Sequence, residues 1–208
     1  MSNYVITIAR GFGSGGKRIG MQLAKELGVP CYENQILTMA SDDSGINREL
    51  FAEVDEKLRG SYIISRLKGL PSEYIIEPSE KNFVSDVNLF NYQAKIIREL
   101  AAAESCVIIG RCADHILRDC KNAVKVFVCA SKEFCVNTVK EQLFVSEAEA
   151  ERMVNKTDKY RGDYYKYYSG GKSWNDPANY DICLNSESLG DDGVIAAIKN
   201  LLEIKGLN

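Results

Sequence analysis

The chain has 208 residues, of which 45% are hydrophobic and 26% are charged, so its composition is that of one globular domain with a sizeable core. Its net charge of −3 argues against a general nucleic-acid-binding protein, which would need a basic face. The same net charge leaves room for a local basic pocket that binds a small phosphate compound.

An apolar strand, a glycine-rich loop and a helix follow one another near the N-terminus. The β-branched run at residues 4–9 predicts a buried strand, and apolar residues spaced by four predict a helix over residues 19–27. Between them, Gly11, Gly16 and Lys17 match the pattern G-x-x-x-x-G-K of a phosphate-binding loop. The loop residues expected to hold the phosphates of a nucleotide are Gly11, Gly13, Ser14, Gly15, Gly16, Lys17 and Arg18.

The residue after Lys17 departs from this loop pattern. A serine or threonine hydroxyl normally stands there and helps to hold Mg²⁺, whereas this chain has Arg18. The apolar run at residues 107–109 also lacks an aspartate at its end, where a second metal-binding carboxylate would be expected. The sequence therefore leaves the protein ligands of Mg²⁺ open. A glycine-rich turn without any ligand is the alternative, but the position of the loop, its flanks and Lys17 favour phosphate binding.

The rest of the chain alternates between short apolar strands and helices. The strands predicted are residues 4–9, 30–32, 106–110, 123–130 and 180–185. The helices predicted are residues 19–27, 35–40, 47–58, 61–70, 83–103, 113–117, 132–143, 147–157 and 190–204, with a loop at residues 71–82. Three of these helices are expected to begin after a capping serine, at Ser85, Ser131 and Ser146.

This alternation predicts an α/β protein whose parallel sheet is covered by helices on both faces. Ligands of such sheets bind at the carboxyl ends of the strands. The glycine loop, Glu33, Arg111 and Asn185 each follow a predicted strand. We therefore expect them to meet along one edge of the sheet.

Residues 160–174 differ in character from the segments around them. They combine basic side chains with several tyrosines, the pair Gly170-Gly171 and the tryptophan Trp174, which predicts a mobile, basic and aromatic segment. The tyrosines at positions 164, 165, 167 and 168 either stack on a base or a partner, or pack in the interior. Packing is the favoured interpretation, because aromatic clusters more often serve it.

Four stretches of the sequence together resemble the cytidylate kinase-like family of phosphate-loop phosphotransferases. They are residues 11–17, 107–114, 156–161 with the tyrosines that follow, and 174–186. The resemblance implies a single domain over residues 1–208 with a three-layer P-loop NTPase fold and a five-stranded parallel sheet. A helical monophosphate-binding insert would span about residues 33–82 and a lid about residues 158–174. The core would then comprise about residues 1–32, 83–157 and 175–208.

The resemblance also implies an activity, which is phosphoryl transfer from ATP to a nucleoside monophosphate, CMP or dCMP first, with Mg²⁺. Lys17 would contact the β- and γ-phosphates, and Arg111 would hold the acceptor phosphate, although a structural ion pair is the alternative for Arg111. The lid would add Lys159 and Arg161 as catalytic residues, with Asp158 as their orienting partner at the substrate.

Glu33 and Asp114 complete the residues expected to bind the substrate. The family has an acidic residue directly after the arginine at position 111, where this chain has Cys112, so Asp114 stands two positions further on. The insert carries no obvious signature for reading cytosine.

The sequence is compatible with two alternatives. A P-loop kinase for another small-molecule acceptor would keep the ATP site and change the insert. A degenerate nucleotide-binding regulatory protein would account for Arg18 and the missing aspartate, but Lys17 and Arg111 argue against it.

The expected partners are small-molecule nucleotides, with neither nucleic acid nor membrane, and the formation of a homo-oligomer stays open. The chain has seven cysteines but no C-x-x-C pair, and it has one histidine, so a zinc site is not expected. We expect the cysteines to be small buried thiols in a reducing compartment. With no signal peptide and no long apolar run, a cytoplasmic location is predicted.

Overall fold

The computed structural model describes residues 3–57, 75–80 and 82–207. The strands of this part are β1 (Val5–Arg10), β2 (Cys31–Tyr32), β3 (Cys106–Ile109), β4 (Ala123–Cys129) and β5 (Ile182–Asn185). The helices are α1 (Gly16–Leu27), α2 (Gln35–Ser44), α3 (Arg48–Lys57), α4 (Asp86–Ala103), α5 (Ala113–Ile116), α6 (Lys132–Leu143), α7 (Glu147–Tyr168) and α8 (Ser186–Ile204), with a short 3-10 helix at Pro177–Asn179. The helix predicted at residues 61–70 lies outside the described residues.

The strands form one sheet in the order β2-β3-β1-β4-β5, and every neighbouring pair is parallel. This confirms the predicted α/β class and the five-stranded parallel sheet. The strand β1 lies at the centre, between β3 and β4. The segments that leave β1, β2 and β3 therefore emerge side by side at the carboxyl edge of the sheet.

Helices cover both faces of the sheet, and the alternation of side chains along the strands shows it. On β3, Val107 and Ile109 pack into a core with residues of α1 and α8, whereas Ile108 packs on the opposite face with residues of α2 and α4. All three of these side chains are at most 1% exposed. Such a sheet, buried on both sides, gives the three-layer architecture that was predicted.

The three predicted capping serines occupy the positions expected of them. The side chains of Ser85, Ser131 and Ser146 each accept a hydrogen bond from the backbone N–H three residues later, at the start of α4, α6 and α7. These contacts satisfy N–H groups that a helix leaves without partners at its N-terminus. The caps confirm the starts of these helices.

Helix α7 is longer than predicted, because it continues past Thr157 to Tyr168. Tyr164, Tyr165 and Tyr168 are buried, and the ring of Tyr168 stacks on that of Phe90 in α4 at a centroid distance of 3.8 Å. The spacing of these tyrosines gives the helix one aromatic face, and burial of that face against α4 sustains the helix to Tyr168. The tyrosines therefore pack, and the first part of the predicted lid is helical.

The cysteines of the chain are all free thiols. Cys106, Cys112 and Cys135 are buried as expected, whereas Cys183 is exposed, which corrects the expectation that it lies in the interior. Cys183 is on β5, at the edge of the sheet, where a side chain lacks a second neighbouring strand. Within the described residues, no helix combines the length and the apolar character needed to cross a bilayer.

Candidate functional site

The glycine-rich loop runs from the end of β1 to the start of α1, and two of its glycines are required by geometry. Gly13 and Gly15 have φ angles of 87° and 80°, in the region that side-chain-bearing residues rarely adopt. A Cβ atom on Gly13 would also lie 2.4 Å from the carbonyl oxygen of Cys135 in α6. The loop is thus pressed against α6, with the N-terminus of α1 directly after it.

Ser14 holds the loop together from inside. Its side chain is buried and donates a hydrogen bond to the carbonyl oxygen of Gly11 at 2.9 Å, while its own carbonyl accepts one from Ser186 Oγ at 2.6 Å. Ser186 begins α8, so the loop is tied to the end of β5 as well. The hydroxyl of Ser14 is therefore engaged within the loop.

One carboxylate joins the loop to the rest of the site. Glu33, directly after β2, pairs through Oε2 with Lys17 Nζ at 2.6 Å and through Oε1 with Arg10 Nη2 at 3.1 Å. The side chain of Lys17 is 58% exposed, so a phosphate can reach its ammonium group from solvent. The structure thus brings together Lys17 and Glu33, which the sequence had singled out, and adds Arg10.

Arg10 is a functional candidate that the sequence analysis missed. Its side chain is only 16% exposed, and burial together with the nearby Arg161 guanidinium lowers its pKa to about 9, so it is still protonated at neutral pH. Gly110 makes room for it, because a Cβ atom there would lie on the Arg10 guanidinium. The one available signal was an arginine at the very end of a buried strand, immediately before the loop.

A cavity of about 220 Å³ lies beside Arg10 at the carboxyl edge of the sheet. Three arginines line it, namely Arg10, Arg111 and Arg161, together with the predicted substrate residues Glu33 and Asp114. The aromatic side chains that line it are Tyr160, Tyr164, Tyr165 and Trp174. The cavity therefore combines a basic surface, which suits an anion, with an aromatic wall, which suits a flat or apolar group.

Asp114 contributes a buried carboxyl group to this cavity. It is 4% exposed, it accepts a hydrogen bond from the Tyr165 hydroxyl, and burial raises its pKa to about 6. Its Oδ2 atom has no hydrogen-bond partner among the described residues. A ligand with an N–H or O–H group would supply the missing partner.

Arg111 lines the cavity from a turn whose backbone conformation is unusual. Gly110, Arg111 and Cys112 have successive φ angles of 74°, 60° and 51°, so two residues with side chains adopt the left-handed region. The Arg111 guanidinium donates a hydrogen bond to Asn34 Oδ1 at 3.0 Å. This sharp turn directs the arginine after β3 towards the segment that follows β2.

Helix α7 holds the loop at two points. Asp158 accepts a hydrogen bond from the Phe12 backbone N–H at 2.8 Å, and Arg161 donates one to the Arg10 carbonyl oxygen at 2.9 Å. Asp158 and Arg161 also lie 3.6 Å apart as an ion pair. Lys159, in contrast, is exposed and does not line the cavity, so its catalytic role remains a prediction.

The part of the chain that the structure describes does not fit a magnesium site with several protein ligands. Arg18, in place of the usual hydroxyl, forms a two-point ion pair with Asp191 of α8, with Nη2 to Oδ1 at 2.9 Å. Both oxygens of Glu33 are already paired, and the hydroxyl of Ser14 is engaged in the loop. The described residues also contain no group of three side chains of the types that hold metals.

The family model that matches the chain is that of the cytidylate kinase-like family, over residues 5–188. Among solved structures, an uncharacterized protein from Eubacterium ventriosum is 27% identical, with a TM-score of 0.70, and the match covers 97% of this chain and 99% of that one. Shikimate kinase from Bacteroides thetaiotaomicron is 14% identical, with a TM-score of 0.54 and coverage of 96% and 98%, which shows a shared fold. No curated protein matches the chain.

Proposed function

The chain belongs to the cytidylate kinase-like family, and on that premise we propose that it transfers the γ-phosphoryl group of ATP to a nucleoside monophosphate, with CMP or dCMP as the first candidates. Family membership supports a kinase-like phosphotransferase in general. The proposal adds to this the identity of the acceptor, the use of ATP and Mg²⁺ by this chain, and the roles of individual residues.

The observation that carries the proposal is the contact of Glu33 with both Lys17 and Arg10. Lys17 belongs to the phosphate-binding loop, whereas Arg10 lines the cavity. The donor site and the acceptor cavity are therefore neighbours, separated by one side chain. That arrangement suits the in-line passage of a phosphoryl group, which needs two anionic reactants to be held close together.

Each part of the site has a task in this reaction. Backbone N–H groups of the loop and Lys17 bind the β- and γ-phosphates of ATP. Arg111 and Arg161 hold the acceptor phosphate in the cavity, where a guanidinium can form two parallel hydrogen bonds to it. Asp114 accepts a hydrogen bond from the acceptor through Oδ2, and the amino group of cytosine is a donor of the required kind.

The bond changes are those of a simple exchange. An oxygen of the acceptor phosphate forms a bond to the γ-phosphorus, and the bond from that phosphorus to the bridging oxygen of ADP breaks. The electron pair of the broken bond stays on ADP, and a monophosphate dianion has no proton to lose. Mg²⁺, when bound to the triphosphate, would neutralise part of its charge.

A smaller acceptor is the second candidate, and the size of the cavity favours it. Ligand pockets typically measure about 300–1,000 Å³, and this cavity is about 220 Å³. The shikimate kinase with the same fold phosphorylates, by its name, a small hydroxyl compound. Such an acceptor would use the arginines for a carboxylate instead of a phosphate.

A panel of acceptors tests the proposal and separates it from both alternatives. The purified protein is given ATP and Mg²⁺ with each nucleoside monophosphate in turn, and with shikimate, while ADP formation is followed. Turnover limited to CMP and dCMP is the expected result. Turnover with shikimate alone would favour the second candidate, and ATP binding without turnover on any compound would contradict a kinase and favour the regulatory alternative.

A further inference from the structure

Two glycines, Gly16 and Gly110, leave space for the side chain of Arg10. A Cβ atom on Gly16 would lie 2.5 Å from the Arg10 Cβ, and one on Gly110 would overlap the Arg10 guanidinium. Gly16 starts α1 and Gly110 follows β3, so two separate segments leave space for one side chain. Any residue with a Cβ at position 10 needs the space beside Gly16, whereas the space beside Gly110 is occupied by the guanidinium itself.

Arg10 shares its acidic partner with Lys17 and lies near two other guanidinium groups, of which Arg161 is itself paired with Asp158. Glu33 is its ion-pair partner, but the same carboxylate also serves Lys17. The guanidinium groups of Arg111 and Arg161 line the same cavity, and both act electrostatically on Arg10. Its Nε atom is buried and has no hydrogen-bond partner among the described residues. A buried donor of this kind is costly unless a hydrogen-bond acceptor, such as a phosphoryl oxygen, completes it.

We propose that Arg10 is a catalytic residue of the transfer, whose guanidinium contacts the phosphoryl group as it passes from the loop to the acceptor. The inference rests on the proposed function and deepens it. Arg10 stands between Lys17, which it meets through Glu33, and the cavity that it lines. During the exchange, negative charge spreads over the three equatorial oxygens of the phosphoryl group. A fixed guanidinium at that point stabilises this charge without having to move.

The substitutions Arg10→Lys and Arg10→Gln test this role by a split between kcat and KM. Removal of a group that stabilises the transition state lowers kcat by roughly 100- to 1,000-fold, while the KM for ATP should change by less than about threefold, because Lys17 and the loop remain. Arg152→Lys is the control, since Arg152 lies on the surface of α7, paired with Glu149. Its kcat should equal that of the wild type.

The Gln variant keeps the test valid if the Lys variant fails to fold. It removes a buried charge, whose desolvation opposes folding, and Glu33 keeps its contact with Lys17. Thermal unfolding establishes that each variant is folded before its rate is interpreted. Wild-type kcat in a folded Arg10→Gln protein would overturn the inference while leaving the proposed function intact.

A binding measurement without turnover separates the two claims further. Trp174 is the single tryptophan of the chain and lines the cavity, so its fluorescence reports on inorganic phosphate added there. Loss of a charged hydrogen bond should weaken phosphate binding by roughly 10- to 100-fold in Arg10→Gln, whereas Arg152→Gln should bind as the wild type does. Equal affinity in both variants would overturn the inference, even if no acceptor in the panel is phosphorylated.

Discussion

Lys17 is the cation that the glycine loop presents to solvent, with its ammonium group 2.6 Å from Glu33. We expect Lys17→Ala to lower kcat/KM for ATP by a factor on the order of 100 or more, because the main positive charge at the β- and γ-phosphates is lost. Initial rates over a range of ATP concentrations measure the effect. Lys140→Ala is the matched control, because Lys140 is a surface residue of α6. Equal values of kcat/KM in Lys17→Ala and Lys140→Ala would contradict the assignment of Lys17 to the ATP-binding site.

Asp114 makes stability depend on pH in a definite direction. Burial raises the pKa of its carboxyl group from an ordinary value of 3.8 to about 6, so the folded protein keeps a proton that the unfolded chain has already released. Between these two values stability therefore falls as the pH rises, and the full cost is present at neutral pH. Below the ordinary pKa both states are protonated, and the cost disappears.

Asp114→Asn removes this dependence, since the amide carries no charge at any pH. The free energy of unfolding of the variant, relative to the wild type, should increase by roughly 1–3 kcal/mol between pH 4 and pH 7. Urea unfolding at both pH values measures it. Asp119→Asn serves as the control, because the side chain of Asp119 is 88% exposed. A pH-independent difference for Asp114→Asn would contradict the assigned burial effect.

At the scale of elements, the contact between the glycine loop and α6 can be tested with a pair of glycines. Gly13 and Gly28 both have positive φ angles, 87° and 68°, but only a Cβ on Gly13 would meet another atom, the Cys135 carbonyl oxygen at 2.4 Å. Gly28 has nothing within 4 Å of that position. Both alanine variants therefore carry the backbone strain, and one of them carries a collision in addition.

We expect Gly28→Ala to cost about 1 kcal/mol of stability and to bind ATP as the wild type does. Gly13→Ala must move the loop or α6, so it should weaken ATP binding by roughly tenfold or more, which is about 1.4 kcal/mol. Calorimetric titration with ATP measures both. Normal ATP binding by Gly13→Ala would contradict the expectation that ATP binding requires the contact between the loop and α6.

The sequence predicts the elements well where local chemistry decides them. The ends of β1 and β3 are correct within a residue, because each strand is a mostly apolar, β-branched run that ends near a polar or glycine residue. Ser131 and Ser146 are recognised as caps because a cap is a local contact. The end of α7 is wrong, since Tyr164 and Tyr168 continue the helix only by packing against α4, which no local pattern reveals.

At the scale of the whole molecule, the candidate site is predictable in part. Glu33 and Arg111 do line one cavity, as the rule for the carboxyl edge of parallel sheets implies, whereas Asn185 caps α8 and does not line that cavity. Arg10 could not be found in this way, because the space for its guanidinium is left by Gly110, a hundred positions away in the chain. Contacts of that length depend on the strand order β3-β1, which the sequence does not specify.

The sheet order also explains why the proposed donor and acceptor sites are neighbours. Because β1 and β3 are adjacent, and β2 lies beyond β3, the loop after β1 faces Arg111 and Glu33 across the same edge. Helix α7 then closes the far side of the cavity with its tyrosines and Arg161. Such closure would keep water from the γ-phosphate and so favour transfer over hydrolysis.

In the proposed reaction, the phosphoryl group passes from ATP at the loop to a monophosphate in the cavity. Phosphorus NMR of one incubation with ATP, Mg²⁺ and CMP tests it most directly, because it observes every product together. We expect CDP and ADP to accumulate in equal amounts, with inorganic phosphate as a minor product. ADP accompanied by inorganic phosphate and no CDP, or no consumption of ATP, would contradict it.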